Sequence, residues 1–186
     1  MRFMKNQLRQ KGVTFVEIML ILGIIAILSS IILPNYKDAR AQFALERSAH
    51  KLAQDIRRAA EMALASAKIA DPDNPGGPKI IPDSYGIYIK QNPGYEIIIF
   101  ADRNGNDQRD GNDWEIEAIR LEKGVIVQNL SHPNLSINFK PPAPTVTFKT
   151  TFGPDPTDAT ITLALENNPT ITKEIEVNKA GLVNVK

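Results

Sequence analysis

The sequence predicts an α+β fold: a long N-terminal helix, transmembrane in its first half and amphipathic in its second, packed against a C-terminal antiparallel β-sheet domain. Three observations predict it. Residues 13–33, VTFVEIMLILGIIAILSSIIL, hold a single charge, Glu17. Residues 35–68 contain neither glycine nor proline and repeat apolar side chains at three- and four-residue steps. Beyond Asp71 the apolar period shortens to two, and every glycine and proline except Gly12, Gly23 and Pro34 falls there.

Length and charge set the bounds. The 186 residues amount to about one domain, and a formal net charge of +1 supplies no global basic field for binding nucleic acid. With no cysteine, disulfides, zinc–thiolate sites and thiol nucleophiles are excluded. His50 and His132 lie far apart, and neither has a second histidine near it.

Residues 1–12 form a basic leader, with Arg2, Lys5, Arg9 and Lys11 and no acid. Residues 13–34 follow as an apolar helix. Its 21 residues from Val13 to Leu33 span about 32 Å, close to the roughly 30 Å hydrocarbon core of a bilayer. The positive-inside rule places the leader in the cytoplasm and the rest of the chain outside, as a single-pass inner-membrane protein. A cleaved secretory signal ending at Ala39-Arg40-Ala41 is the alternative. Against it stand an apolar run longer than such signals carry and the carboxylate at Glu17. A plain signal anchor stays open.

Residues 35–70 continue the helix. Leu45, Ala49, Leu52, Ile56, Ala59 or Ala60, Ala63 and Ala67 form one apolar stripe, with Arg40, Arg47, Lys51 and Arg58 largely off it. The alanine-rich stripe lacks a leucine or isoleucine heptad, so it predicts packing against a sheet rather than a coiled coil. A helix from Val13 to Lys68 would run about 84 Å, bent at Pro34. Residues 71–186 form the β-rich domain. Nine strand-like runs begin near Tyr85, Tyr95, Glu115, Gly124, Leu135, Thr145, Ala159, Ile171 and Gly181. Turn formers such as Asn92-Pro-Gly, Glu122-Lys-Gly, Pro141-Pro and Gly153-Pro-Asp-Pro separate them, which predicts antiparallel hairpins.

The run Lys11-Gly12-Val13-Thr14-Phe15-Val16-Glu17, opening the apolar helix, closely resembles the leader of type IV pilins and type II secretion pseudopilins. The resemblance implies cleavage by a prepilin peptidase between Gly12 and Val13, N-methylation of Val13, and an assembly role for Glu17. Pro34 falls where the family commonly bends its helix. Implied partners are the peptidase, other pilin or pseudopilin subunits, an inner-membrane assembly platform and membrane lipid. A carboxylate in hydrocarbon costs about 2.5–3.5 kcal/mol on insertion scales, which a neighbouring subunit's N-terminal ammonium would offset. Alternatively, Glu17 complements the positive end of its own helix, worth about 0.3–1 kcal/mol. The helix KLAQDIRRAAEMALASAK, then YGIYI and Ala101-Asp102-Arg-Asn-Gly-Asn, is similar to GspH/FimT-like minor pseudopilins over residues 45–125.

A second candidate site is Asp102-Arg-Asn104-Gly-Asn106-Asp107-Gln-Arg-Asp110-Gly-Asn-Asp113. Asp102, Asn104, Asn106, Asp110 and Asp113 stand at the first, third, fifth, ninth and twelfth places of an EF-hand-type calcium loop. Asp107 at the sixth place, where such loops use glycine, and the short Asp113 at the twelfth depart from it, and a solvated hairpin loop is the alternative. No other cofactor is indicated.

Enzyme chemistry has no support: Glu115 and Glu117 read as a solvated strand face, neither histidine has a nucleophile at triad spacing, and there is no phosphate loop. The expected function is a non-catalytic subunit of a pseudopilus or pilus. The alternatives are a pilus-borne binding module, such as an adhesin or DNA-uptake receptor, and a plain signal-anchored protein. Lysines 123, 140, 149, 173, 179 and 186 are spread thinly, so no nucleic-acid partner is expected. Cleavage after Gly12 would leave 18 bases against 21 acids, a formal charge of −3.

Overall fold

In the computed structural model, residues 12–74, 76–90, 95–142, 145–151 and 153–186 are described, with side chains throughout except at 33–35. The basic leader through Lys11 and the turn at Asn92-Pro-Gly lie outside the described residues, as do the side chains where the Pro34 bend is expected. The chain divides into two units, one up to Arg40 and one from Ala41 to Lys186.

One helix, α1 (Phe15–Leu64), contributes to both. In the first unit its apolar side chains lie uncovered. Every large one from Val13 to Ile32 is exposed, from 47% at Ile18 to 75% at Phe15. This stretch is long and apolar enough to cross a membrane.

In the second unit the same helix becomes one-sided. Leu45, Ala49, Leu52, Ala53, Ile56, Ala59 and Ala63 are buried in a single apolar cluster with strands of the β domain. The predicted stripe is therefore the packed face, with Ala53 added and Ala60 and Ala67 at its margin. Alanines let backbone and strand approach closely, while fully burying Leu52 and Ile56 contributes about 1.5–3 kcal/mol each. The helix ends at Leu64 rather than Lys68. Ser66 takes a positive φ of 44°, its N–H donates to Ala63 O at 3.0 Å, and Ala67 N–H donates to Met62 O at 2.9 Å. This Schellman-type closure stops the helix without a glycine, so propensity alone overran it.

Among the described residues nine strands follow: β1 (Ser84–Lys90), β2 (Glu96–Asp102), β3 (Trp114–Ile119), β4 (Val125–Leu130), β5 (Leu135–Lys140), β6 (Thr145–Lys149), β7 (Asp158–Leu165), β8 (Asn168–Asn178) and β9 (Val183–Val185). They form a five-stranded sheet, β3-β2-β1-β5-β6, and a four-stranded sheet, β4-β7-β8-β9. Every pairing is antiparallel. The chain enters the second sheet at β4 and returns to the first for β5 and β6, a crossing that alternation of side chains does not encode. Tyr85, Ile87 and Ile89 of β1, Ile97 and Ile99 of β2, and Leu135 and Ile137 of β5 point into the cluster, as the period of two requires. From the second sheet Ile161, Leu163, Ile175 and Val177 enter the same cluster.

Polar bonds fix α1 to both sheets. Arg58 donates to Glu117 on β3 at 2.7 Å, and Arg57 donates to the carbonyl of Val183 on β9 at 2.7 Å. Arg47 makes a two-point contact with Glu122 at 2.7 and 2.8 Å, and Glu122 N–H donates to Ser48 Oγ.

Candidate functional site

The expected processing and assembly residues, Gly12, Val13 and Glu17, lie together at the helix entrance. Gly12 is exposed, with nothing within 4 Å of where a Cβ would stand. Val13 is 63% exposed. The helix starts at Phe15 because Thr14 caps it: Thr14 O accepts from Glu17 N–H at 3.1 Å and Ile18 N–H at 3.2 Å, and Thr14 Oγ1 accepts from Glu17 N–H at 3.3 Å. Thr14 is thus the N-cap and Glu17 the third helical residue, in the first turn. An acid there complements the exposed N–H groups and the positive end of the dipole. Reasoning from the sequence missed Thr14, although Thr-x-x-Glu is the signature of a capping box. The Gly12-Val13 bond therefore lies just outside the helix.

Loop 103–113, between β2 and β3, takes its shape from Asp102. This fully buried carboxylate accepts the N–H groups of Asn104 (3.1 Å), Gly105 (2.8 Å) and Asp107 (2.8 Å), and the hydroxyl of Ser84 at 3.2 Å. Asp113 accepts the N–H groups of Arg103 at 3.1 Å and Asp110 at 2.8 Å, closing the loop's base. Asp110 accepts the side-chain amides of Asn104 at 3.0 Å and Asn106 at 2.8 Å. The amide oxygens of Asn104 and Asn106 in turn accept N–H from Asn106 and Gln108. Burial pushes the Asp113 carboxyl up, whereas the N–H of Asn112 holds Asp110 below its ordinary value.

Asp107 adopts a φ of +61°, so the sixth place makes a left-handed turn although it lacks the glycine usual there. The five spaced oxygen-bearing residues are brought into one loop, but their oxygens are spent on N–H groups of the loop itself. Among the described residues no group of three or more histidine, aspartate or glutamate side chains is placed to hold a metal ion.

What the loop does in this arrangement is roof the outward face of the five-stranded sheet. Asn138 of β5 donates its amide to Asp107 O, Arg109 N–H donates to Ser136 Oγ at 3.3 Å, and Lys140 Nζ lies 2.9 Å from Asp107 Oδ2. Beneath it Ser84, Ser136 and Asn138 are fully buried beside Phe100 and Ile98, so this face mixes polar and apolar groups where the opposite face is apolar. Gly86 is required there: a Cβ would fall 2.7 Å from the ring of Phe100. The spacing that suggested calcium ligands also serves this hydrogen-bonded roof.

Glu115 and Glu117 are exposed on β3, with Glu117 engaged by Arg58. His50 is exposed on α1, and His132 Nδ1 lies 3.0 Å from Ser131 Oγ on the surface. Comparison with protein-family models, with curated proteins and with solved structures gives no match to this chain.

Proposed function

We propose that this chain is a prepilin-like structural subunit of a type II secretion pseudopilus or type IV pilus, of the GspH/FimT-like minor group. The observation that carries the reading is a capped helix apolar on every exposed face from Val13 to Ile32, with Glu17 its one charge and Gly12-Val13 free in front of it. A helix with no buried face needs lipid or other helices around it. In this reading a prepilin peptidase cuts after Gly12 and methylates Val13. The basic leader keeps that end cytoplasmic, and residues 41–186 face the periplasm or the exterior. On assembly by the inner-membrane platform, the apolar stretch passes from lipid into a bundle of like helices.

Glu17 is served in both settings. In the membrane its own helix terminus offsets part of the cost of a carboxylate, and in the filament the Val13 ammonium of an adjacent subunit supplies a full opposite charge. The domain from Ala41 onward presents surfaces to other subunits and performs no catalysis of its own.

The test is the N-terminus of the full chain co-expressed with a prepilin peptidase. Mass analysis should find a chain beginning at N-methylated Val13. An intact leader, or a chain beginning at Gln42 after signal-peptidase cleavage, would overturn the reading.

A further inference from the structure

At the seam between α1 and β3, two carboxylates meet one arginine. Asp55 and Arg58 lie three residues apart on α1, and Arg58 Nη1 donates to Glu117 Oε2 of β3 at 2.7 Å. Asp55 is left without an equivalent contact, its Oδ2 buried and unpartnered. The charges around Asp55 are Lys51 and Arg58 from its own helix and Glu117 from β3. Lys51 is divided as well, since it also lies near Glu122, which Arg47 holds. A buried carboxylate oxygen with no donor is costly, and the two cations that act on Asp55, Lys51 and Arg58, each lie near another carboxylate as well.

We propose that Asp55, Arg58 and Glu117 form an acid-responsive latch between α1 and β3, in which the guanidinium is held by Glu117 and a proton on Asp55 supplies what the arginine does not. Arg58 stays on Glu117, and the proton comes from solvent onto the Asp55 carboxylate, leaving a neutral carboxylic acid at the seam. Burial is the main influence raising the Asp55 carboxyl above its ordinary value, and Glu117 adds to it, against the opposing pull of Lys51 and Arg58. The folded chain therefore holds this proton more tightly than the unfolded chain does. Stability from this site is gained as pH falls from neutrality into the carboxylate range and is lost as pH rises through the folded-state value, the reverse of a salt-bridged aspartate.

Thermal midpoints of the full chain in detergent micelles, measured between pH 4.5 and 7.5, test the latch. Asp55→Asn should raise the midpoint at pH 7.5 by about 2 °C or more, with the gain fading as pH falls toward 4.5. In a Glu117→Gln background Arg58 is released to Asp55, so adding Asp55→Asn there should lower the midpoint at pH 7.5. A loss from Asp55→Asn in the otherwise native chain, or a shift independent of pH, would overturn the proposal. Should a variant fail to fold, the carboxyl carbon of Asp55 in the native chain still decides by NMR titration. A midpoint above the ordinary aspartate range supports the latch, and one at or below it overturns it.

Discussion

Two stretches of one helix, residues 15–32 and 41–64, differ in where their apolar side chains are placed. The first distributes isoleucine, leucine, valine and phenylalanine around its whole circumference and leaves all of them uncovered. The second confines Leu45, Leu52 and Ile56 to one side, fills the gaps with alanine, and buries that side in the β domain. Charge follows the same division, with Glu17 alone in the first stretch and arginines in the second that reach out to Glu117, Glu122 and the Val183 carbonyl. The lesson is that angular distribution, more than total hydrophobicity, selects the surroundings of each stretch: hydrocarbon or other helices for one, a sheet and water for the other.

The contrast breaks most visibly under truncation. Leu52→Ala removes a fully buried side chain and should cost about 2–5 kcal/mol, read by denaturant unfolding of the full chain in micelles. Leu22→Ala, at a position 57% exposed, should leave that transition within about 0.5 kcal/mol of the native chain. Equal losses at the two sites would show that the first stretch is covered as fully as the second.

A smaller effect sharpens the account of the β domain. Asp102→Asn weakens the acceptor that gathers three N–H groups and the Ser84 hydroxyl, and should cost about 1–3 kcal/mol by the same unfolding measurement. The smallest expected change is with calcium. Millimolar calcium should leave the native midpoint where it is, because Asp110 and Asp113 are already matched with N–H donors. A rise of several degrees would mean that the loop reorganises around the ion.

Local chemistry made much of this fold legible. The apolar run, the stripe at three- and four-residue steps and the nine period-two segments each became the corresponding element, because burial on one face or on all faces imposes those periods directly. What stayed hidden depends on distant partners. The β4 excursion into a second sheet is set by packing across the core, and the helix stop at Ser66 by a left-handed residue that is not glycine. At the helix entrance the sequence singles out Gly12, Val13 and Glu17 as expectations, and the cap at Thr14 was overlooked. In the loop the spacing of Asp and Asn was legible, while whether such oxygens face one another or the backbone is decided by side-chain orientation. Asp55 was invisible for a similar reason, since its isolation arises only when β3 brings Glu117 to Arg58.

The central claim is that residues 15–32 face a non-aqueous environment while the chain from Asp38 onward faces water, and the absence of native cysteine makes it directly measurable. Leu22→Cys and Asp38→Cys are introduced separately into the full chain and treated in spheroplasts with a membrane-impermeant maleimide. The account predicts labelling at position 38 in intact membranes, and at position 22 only after detergent solubilisation and denaturation. Labelling at position 22 in intact membranes, or none at position 38 until the membrane is opened, would contradict it.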